Sequence, residues 1–336
     1  MNAGLLRRGG QIAGVLAAVA AAAVGLSALA GVLSGGDWPW VVATYLRWPQ
    51  VVVATLATAV LVGLRWWRSA MASAVVTMAL VVSVVVPLAA LDTVAAPAGQ
   101  TLRIAVFNTG ARNEDIRAIA AAIRSADPDV AVLLESEDVA VRVDRRLQDL
   151  SRLATPVDGP VTSPPIVLAG RDWPVAVAPL AGGRPAIVVT VDVGGQPLDI
   201  VAIHPLPPVT RAWARSHDQT ISALTGDVLP RARPYVLACD CNSAPWSPSM
   251  RRLLDVGLHQ PTVFATFGAP VVGIPIDHIL LGRGVVAVSR ELGPFAGSDH
   301  RLIVTEVAVR AGDDVAPAAR GARSGAAPTT PARTVR

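Results

Sequence analysis

Lysine is absent from this chain: all 29 basic residues among its 336 are arginine, a mark of composition rather than of function. Charge of either sign is scarce, at 16%, against 52% hydrophobic residues and a mean hydropathy of +0.49. Ordinary soluble domains carry about a quarter charged residues, so this balance excludes one of that kind over the full length. Cysteine is nearly missing. Cys239 and Cys241 are the only two, so there is no disulfide framework. On an extended strand their side chains stand side by side, where a bridge is strained. C-x-C alone is also too weak a motif for a metal site, and both read as small buried thiols. A basic excess is missing where a nucleic-acid binder needs one. Thr101 to Arg310 holds 20 arginines against 21 acidic residues (20 − 21 = −1), and the overall +4 comes from the flanks. Non-specific grip on a phosphate backbone draws on a basic stripe, which this balance does not supply.

The apolar excess lies before residue 92. Residues 11–33 are uncharged and long enough to cross a ~30 Å hydrocarbon layer as a helix. Residues 48–67 and 70–91 give a second and a third crossing, although Arg47 and Pro49 weigh against the second. Trp38, Trp40, Tyr45, Trp48, Trp66 and Trp67 cluster at the segment ends, as interfacial aromatics do. Arg7 and Arg8 precede the first segment, and Arg65 and Arg68 lie between the second and third. The positive-inside rule puts both pairs in the cytoplasm, and three crossings leave everything after Leu91 outside. A signal peptide cleaved after Ala28-Leu29-Ala30 is the rival, with the same outcome downstream. The expectation is a multi-pass cell-membrane protein with an extracytoplasmic domain. Bilayer lipid is its implied partner, and no protein partner is inferable.

The chain divides into an anchor (1–92), a linker (93–100), a domain (101–310) and an Ala/Arg/Pro-rich tail (311–336) expected to be disordered. In the domain, a strand over 101–107 ends at Asn108, and Asn113 caps a helix running to about Ser125. Val130–Leu134 is a buried strand ending at Glu135, followed by a polar helix over 138–150. Short strands fall at 165–169 and 173–178. Ala186–Val193 and Leu198–Ile203 form a hairpin around Gly194-Gly195, its second strand ending at His204. A helix over 210–228 leads to the strand Tyr235–Cys239, which delivers Asp240 and Asn242. A helix over 247–256 and strands near 262–266, 274–281, 285–291 and 301–309 complete the domain. Period two places Asp240 and Asn242 on one face and the two cysteines on the other.

Asn108, Glu135, His204, Asp240, Asn242, Asp277 and Asp299-His300 all lie at or beside the ends of apolar strands. Polar residues gathered at one end of core strands are how an α/β sheet builds a site. Singly, each has a plain structural explanation. Asn108 and Asn113 suit turns and caps, Glu135 a solvated acid, His204 a backbone-held ring, and Asp277-His278 a surface pair. Their joint position at strand ends is what points to a site.

The ordered set Asn108, Pro128-Asp-Val-Ala-Val-Leu-Leu-Glu135, Ile203-His204-Pro205, Asp240-Cys-Asn242, Ile276-Asp277-His278 and Ser298-Asp299-His300 resembles the endonuclease/exonuclease/phosphatase superfamily, over about Thr101 to Arg310. The similarity is closest to membrane-anchored bacterial members. It implies an α/β fold, a four-layer α/β/β/α sandwich of the DNase I-like kind, preceded by about three transmembrane helices. By resemblance, Glu135 is the principal Mg²⁺ ligand, or Mn²⁺ ligand, with Asn108 nearby and Asp299 as a further metal-side carboxylate. Asp240 orients or deprotonates the attacking water, and Asn242 holds phosphoryl oxygens. His300 binds phosphate or acts in acid–base transfer, oriented by Asp277, and His204 matches the second histidine of the nuclease and sphingomyelinase-like branches. Hard oxygen ligands suit Mg²⁺, and an anionic phosphoester needs charge neutralisation and an in-line water.

Three departures leave the substrate class open. Cys239-Asp-Cys-Asn stands where Gly-Asp-Phe-Asn is usual. No counterpart exists for a site tyrosine, the chain having only Tyr45 and Tyr235, and no acid can be placed beside His204. The expected function is a membrane-tethered, metal-dependent phosphoester hydrolase acting on a phosphorylated lipid or another envelope molecule. The alternatives are a Mg²⁺-dependent nuclease and, from another class, an inactive binding or scaffold protein that keeps the fold. Retention of Glu135, Asp240, Asn242, Asp299 and His300 together argues against the last.

Overall fold

Among the described residues, four helices precede the domain: α1 (Ala3–Leu33), α2 (Trp40–Tyr45), α3 (Arg47–Gly63) and α4 (Trp67–Ala89). The computed structural model describes residues 3–89, 93, 100–136, 151–154, 165–229, 233–260, 262–269 and 273–310. Among them, two helical stretches are long and apolar enough to cross a membrane, Arg8–Leu33 and Trp67–Val86, each of mean hydropathy 2.3. This corrects the expectation of three. The middle segment does not run to Trp67: it stops at Gly63, because Arg65 adopts a left-handed φ of 62° and Trp67 already opens α4. What remains, Arg47–Gly63, is a 17-residue apolar helix below the length of a candidate crossing. Close approaches set the directions. A Cβ on Gly14 would meet the Trp66 ring at 2.8 Å, one on Gly25 would meet Val76 at 3.2 Å, and one on Gly31 would meet Thr44 at 2.8 Å. Helices α1 and α4 therefore run the same way, and α3 runs back between them, joined to α4 by a Thr58–Ser73 hydroxyl contact of 2.7 Å.

Among the described residues, eleven strands form two sheets. The first contains β1 (Leu102–Asn108), β2 (Val130–Leu134), β3 (Ser151–Ala154), β4 (Ile166–Ala169), β10 (Val285–Leu292) and β11 (Ile303–Val309), in the order β10-β11-β1-β2-β4-β3. The second contains β5 (Val175–Ala178), β6 (Ala186–Val193), β7 (Gln196–Ile203), β8 (Tyr235–Asp240) and β9 (Asp277–Leu281), ordered β5-β6-β7-β8-β9. Each sheet holds one parallel pair, β1–β2 and β7–β8, and its other pairings are antiparallel. Parallel neighbours need a crossover. These are α5 (Ile116–Ala126) for the first pair and α6 (Arg211–Ala223), prolonged by a π-helical turn over Leu224–Val228, for the second. Helix α7 (Pro248–Asp255) follows β8 and is capped by the Ser247 hydroxyl.

Alternation assigns the faces. Ile104 and Val106 of β1, Val132 of β2, Ile200 and Ala202 of β7, Val236 and Ala238 of β8, and Ile279 of β9 meet between the sheets. The other parity packs outward: Ala105, Phe107 and Leu133 lie under Ile119 and Ile123 of α5, and Val201, Leu237 and Cys239 lie under Ile221 of α6. The result is the four-layer α/β/β/α sandwich.

Several local expectations change. Asp115, not Asn113, caps α5, its carboxylate accepting from Ala118 N, while Asn113 braces the turn through Asp115 N and Ala296 O. Residues 262–266 form no strand; they run as an irregular support, with bridges only at Phe267 to Ile274 and His300. Strand β3, just ahead of the short strands expected at 165–169 and 173–178, was not among the expected strands. The two cysteines are disulfide-bonded, not free thiols. An extended i,i+2 spacing would be about 6.6 Å, but β8 ends at Asp240 and the chain turns, leaving the two Cα atoms 4.9 Å apart. The polar helix expected over 138–150, most of the 93–100 linker and the 311–336 tail lie outside the described residues.

Candidate active site

Inward parity carries straight into chemistry. Following Ile104 and Val106, the next inward position of β1 is Asn108. Following Ile200 and Ala202 comes His204, following Val236 and Ala238 comes Asp240, and preceding Ile279 comes Asp277. All four are at most 2% exposed and stand at one end of the inter-sheet core.

Asp240 is the hub. Its Oδ2 accepts from Asn108 Nδ2 at 3.0 Å, and its Oδ1 accepts from the Asn242 backbone N at 2.9 Å. His204 Nε2 and His300 Nε2 approach Oδ2 at 3.6 and 3.8 Å. Burial, reinforced by the neighbouring Asp277 charge, raises the Asp240 pKa, against the pull of the two histidines. A carboxylate so placed is a stronger base than one in water.

Asp277 binds His300 Nδ1 through both oxygens, at 2.9 and 3.1 Å. Burial alone would lower the His300 pKa. The Asp277 carboxylate outweighs it, helped by Asp240 and Asp299, and holds the imidazole up at about 10. His300 is therefore an imidazolium at neutral pH, with Nδ1–H toward Asp277 and Nε2–H toward Asp240. Thr266 Oγ1 accepts from the Asp277 backbone N at 3.1 Å, and the Phe267 ring lies 4.8 Å from the imidazole. The supposed surface pair Asp277-His278 is thus fully buried. His278 Nδ1 accepts from Thr262 N at 3.0 Å, so its Nε2–H donates to Ser243 O at 2.7 Å.

Two residues arrive by backbone turns rather than parity. Glu135 follows β2 with a left-handed φ of 53°, and Asn242 follows the disulfide with a φ of 44°. Glu135 Oε2 accepts from Ala111 N at 3.1 Å, and its Oε1 faces His204 Nε2 at 3.6 Å. Asn242 Nδ2 donates to Pro205 O at 3.1 Å. Asn242 therefore does not share the Asp240 strand face, because β8 has already ended.

Asp299 is exposed and beside the β1 turn: a Cβ on Gly110, whose φ is +76°, would lie 3.7 Å from its Oδ1 and 3.3 Å from Ser298 Oγ. Ser298 ties that loop to the site, donating to Asn108 O at 2.8 Å and accepting from His300 N at 3.0 Å. Arg184 was not anticipated. Its guanidinium contacts His204 Nδ1 at 3.0 Å and donates to His204 O at 2.9 Å. A guanidinium has no acceptor, so Nδ1 is unprotonated and the proton sits on Nε2, facing Glu135 and Asp240. Arginine thus meets the His204 ring at Nδ1, while two acids, Glu135 and Asp240, face its Nε2.

Among the described residues, Asp240, Asp277 and His300 offer ligand atoms within 4.8 Å of one another, close enough to hold a metal. Glu135, Asn108 and Asp299 line the same strand ends with hard oxygens, and among the described residues Glu135 Oε1 has no hydrogen-bond donor nearer than His204.

Two face-to-face sheets flanked by helices, with a polar site at the strand ends of both, define an α/β sandwich of the DNase I-like class. The sequence model of the Endonuclease/Exonuclease/phosphatase family matches residues 105–300, and the chain belongs to that family. Its members are phosphoester hydrolases that use divalent metal ions. No curated protein matches the sequence. Among solved structures, an endonuclease/exonuclease/phosphatase from Beutenbergia cavernae DSM 12333 is 20% identical, with TM-score 0.51, covering 63% of this chain and 72% of that one. A functionally unknown conserved protein from Enterococcus faecalis V583 is 16% identical, with TM-score 0.53, covering 62% and 100%. D. rerio TDP2 complexed with single strand DNA product is 14% identical, with TM-score 0.50, covering 62% and 99%. At these identities the likeness establishes the fold.

Proposed function

We propose that this chain is a membrane-tethered, metal-dependent hydrolase of phosphoester bonds, acting outside the cytoplasm on a phosphorylated lipid or other envelope molecule. The observation that carries it is the convergence of Asn108, Glu135, His204, Asp240, Asp277 and His300 at one end of the inter-sheet core. A scaffold would have no reason to retain so costly a set of buried charges.

Glu135, with Asn108 and Asp299, would hold the cation, Mg²⁺ or Mn²⁺; the fit rests on their hard oxygens and on the partly open Glu135 carboxylate, whose side chain is 32% exposed. The Asp240–Asp277–His300 group is the less suitable holder, because Asp277 is already engaged by His300 and the imidazole is cationic. A bound divalent ion supplies Lewis-acid neutralisation of phosphoryl charge. Asp240, a buried carboxylate of raised basicity, accepts the proton of the attacking water. His300 holds a proton on Nε2 for the leaving oxygen, and Asp277 fixes the ring's orientation. The Asn242 amide, which also donates to Pro205 O, and His204, whose Nε2 faces Glu135 and Asp240, would contact the phosphoryl oxygens.

For the membrane, the two candidate crossings run the same way, so the chain must return between them through α2 and α3. Gly10 lies against Leu64, which puts Arg8, Arg65 and Arg68 at one end of the bundle. The domain meets the other end, where Gly36 approaches Pro248. The positive-inside rule then keeps the arginines in the cytoplasm and the domain outside. The Cys239–Cys241 disulfide fits an oxidising compartment.

The test is the purified full chain with phospholipid vesicles, DNA, RNA and an aryl phosphodiester, each with Mg²⁺, with Mn²⁺ and with EDTA. EDTA-sensitive cleavage of lipid is expected. Preferential cleavage of DNA or RNA would make it a nuclease, and no cleavage of any substrate would defeat the hydrolase assignment. An alkaline-phosphatase reporter fused after residue 100 should be active and one near Arg65 inactive; the reverse would overturn the orientation.

A further inference from the structure

The helical unit does not merely lead into the domain; it comes back to touch the site. Tyr45, the last residue of α2, is 7% exposed, and its hydroxyl donates to the Asn242 carbonyl at 2.8 Å. Next to it, the Thr44 carbonyl accepts from Trp246 Nε1. Val41, Tyr45 and Ala244 form one apolar cluster, with Val42, Trp246 and Ile274 packed around it. The Asn242–Trp246 loop is thus gripped from two sides. Helix α2 holds one. On the other, His278 holds Ser243 O at 2.7 Å, and His217 Nε2 holds Cys241 O at 3.1 Å with Ser243 Oγ at 3.2 Å.

That grip matters because of the conformation it maintains. Asn242 has a φ of 44°, a left-handed backbone that a non-glycine residue keeps only when its surroundings fix it. That turn fixes two contacts at the site: the Asn242 backbone N–H donates to Asp240 Oδ1, and its side-chain amide donates to Pro205 O. Within the domain no other tyrosine can serve: Tyr235 opens β8 and reaches Val256 O at 3.4 Å instead. We propose that Tyr45 is a positioning residue for Asn242, so that the anchor is part of the hydrolytic unit rather than a detachable tether. The proposal rests on the hydrolase assignment for its kinetic consequence, but not for its structural one.

The full chain carrying Tyr45→Phe, which removes only the hydroxyl, is compared with wild type. We expect kcat to fall about fivefold, the worth of one hydrogen bond, with KM changed less than about twofold. In an Asn242→Gly background, which keeps the left-handed backbone available, Tyr45→Phe should cost nothing further, because its effect passes through Asn242. Hydrogen exchange supplies a readout independent of turnover. Amides of residues 240–246 should exchange faster in Tyr45→Phe and in Trp246→Phe, while those of β1 do not change. Wild-type kcat and exchange in Tyr45→Phe would overturn the proposal, as would a full additive loss on top of Asn242→Gly. If the wild-type chain cleaves nothing, the hydrolase assignment fails by itself, and unchanged exchange over 240–246 would still sink the role of Tyr45.

Discussion

The β1–α5–β2 and β7–α6–β8 units are the same device built twice, yet they finish differently. Both are parallel pairs with a crossover helix, and both end at the same pole of the core. The first delivers Asn108 and Glu135, and its last residue stays partly open: the Glu135 side chain is 32% exposed. The second delivers His204 and Asp240, each sealed to 2% or less. On the proposed reading, the open end would keep a hard oxygen available to an ion. The sealed end raises the basicity of a carboxylate by withholding water from it. One architecture serves both tasks because burial at the final residue, not the strand topology, sets the chemistry.

Substitutions at the two ends should separate these roles. Glu135→Gln should abolish the metal-dependent rate at limiting Mg²⁺ while leaving the thermal midpoint where it was, since a partly open amide replaces a partly open acid of nearly the same shape. Asp240→Asn should lower kcat by about 10²–10⁴ but raise the midpoint. A buried acid whose pKa is raised costs the folded state when ionised, and the amide carries no such charge. Equal midpoints for the two variants would erase the distinction between open and sealed ends.

Within the sealed end, His300→Ala should lower kcat by a factor on the order of 10²–10⁴, and Asp277→Asn should give a smaller loss of the same kind. The double variant should be little worse than His300→Ala, because the two act as one unit. Full additivity would break the pair. Arg184→Met should cost less, at least about tenfold, the low end for charged hydrogen bonds such as the two it makes to His204, and His204→Ala should resemble it. A larger loss at His204 than at His300 would reverse their ranking.

The last test reads stability rather than rate, and concerns pH. Burial pushes both His217 and His278 down to about 4 from 6.5. The unfolded chain therefore takes up protons first. The contribution from keeping both rings neutral is complete above about pH 6.5 and is lost as pH falls toward 4, by up to ~1.4 kcal/mol per pH unit for each ring. Urea midpoints measured from pH 7 to 4.5 should slope downward, and His217→Gln should flatten the slope.

Much of this was legible in the sequence because period two is a strict rule. Once β1, β7, β8 and β9 are recognised as apolar strands, parity alone aims Asn108, His204, Asp240 and Asp277 into one space. Glu135 and Asn242 escaped parity, since a left-handed φ redirects each; for Asn242 the residue type hinted at it, and for Glu135 nothing did. Arg184 carries no local signal: it sits in a Gly-Gly-Arg-Pro stretch and gains meaning only from His204, 20 residues on. Tyr45 is 197 residues from its partner and lies in a segment whose composition speaks only of lipid. Residues 262–266 read as a strand from their β-formers, but the Thr262 backbone N–H and the Thr266 hydroxyl are spent bracing His278 and Asp277.

The Cys239–Cys241 bridge has a consequence in entropy. A cross-link stabilises chiefly by shrinking the freedom of the unfolded chain, and a ring of three residues removes little of it, on the order of 1–2 kcal/mol against about 3 for fifteen residues. The bridge is therefore a poor staple for the domain as a whole. Its constraint falls on Asp240, the single residue it encloses, whose main-chain torsions can no longer vary independently of the two sulfurs on either side. Opening that ring would leave the fold standing and loosen the one carboxylate on which the site turns, so the survival of the domain and the competence of its site answer to different chemistry.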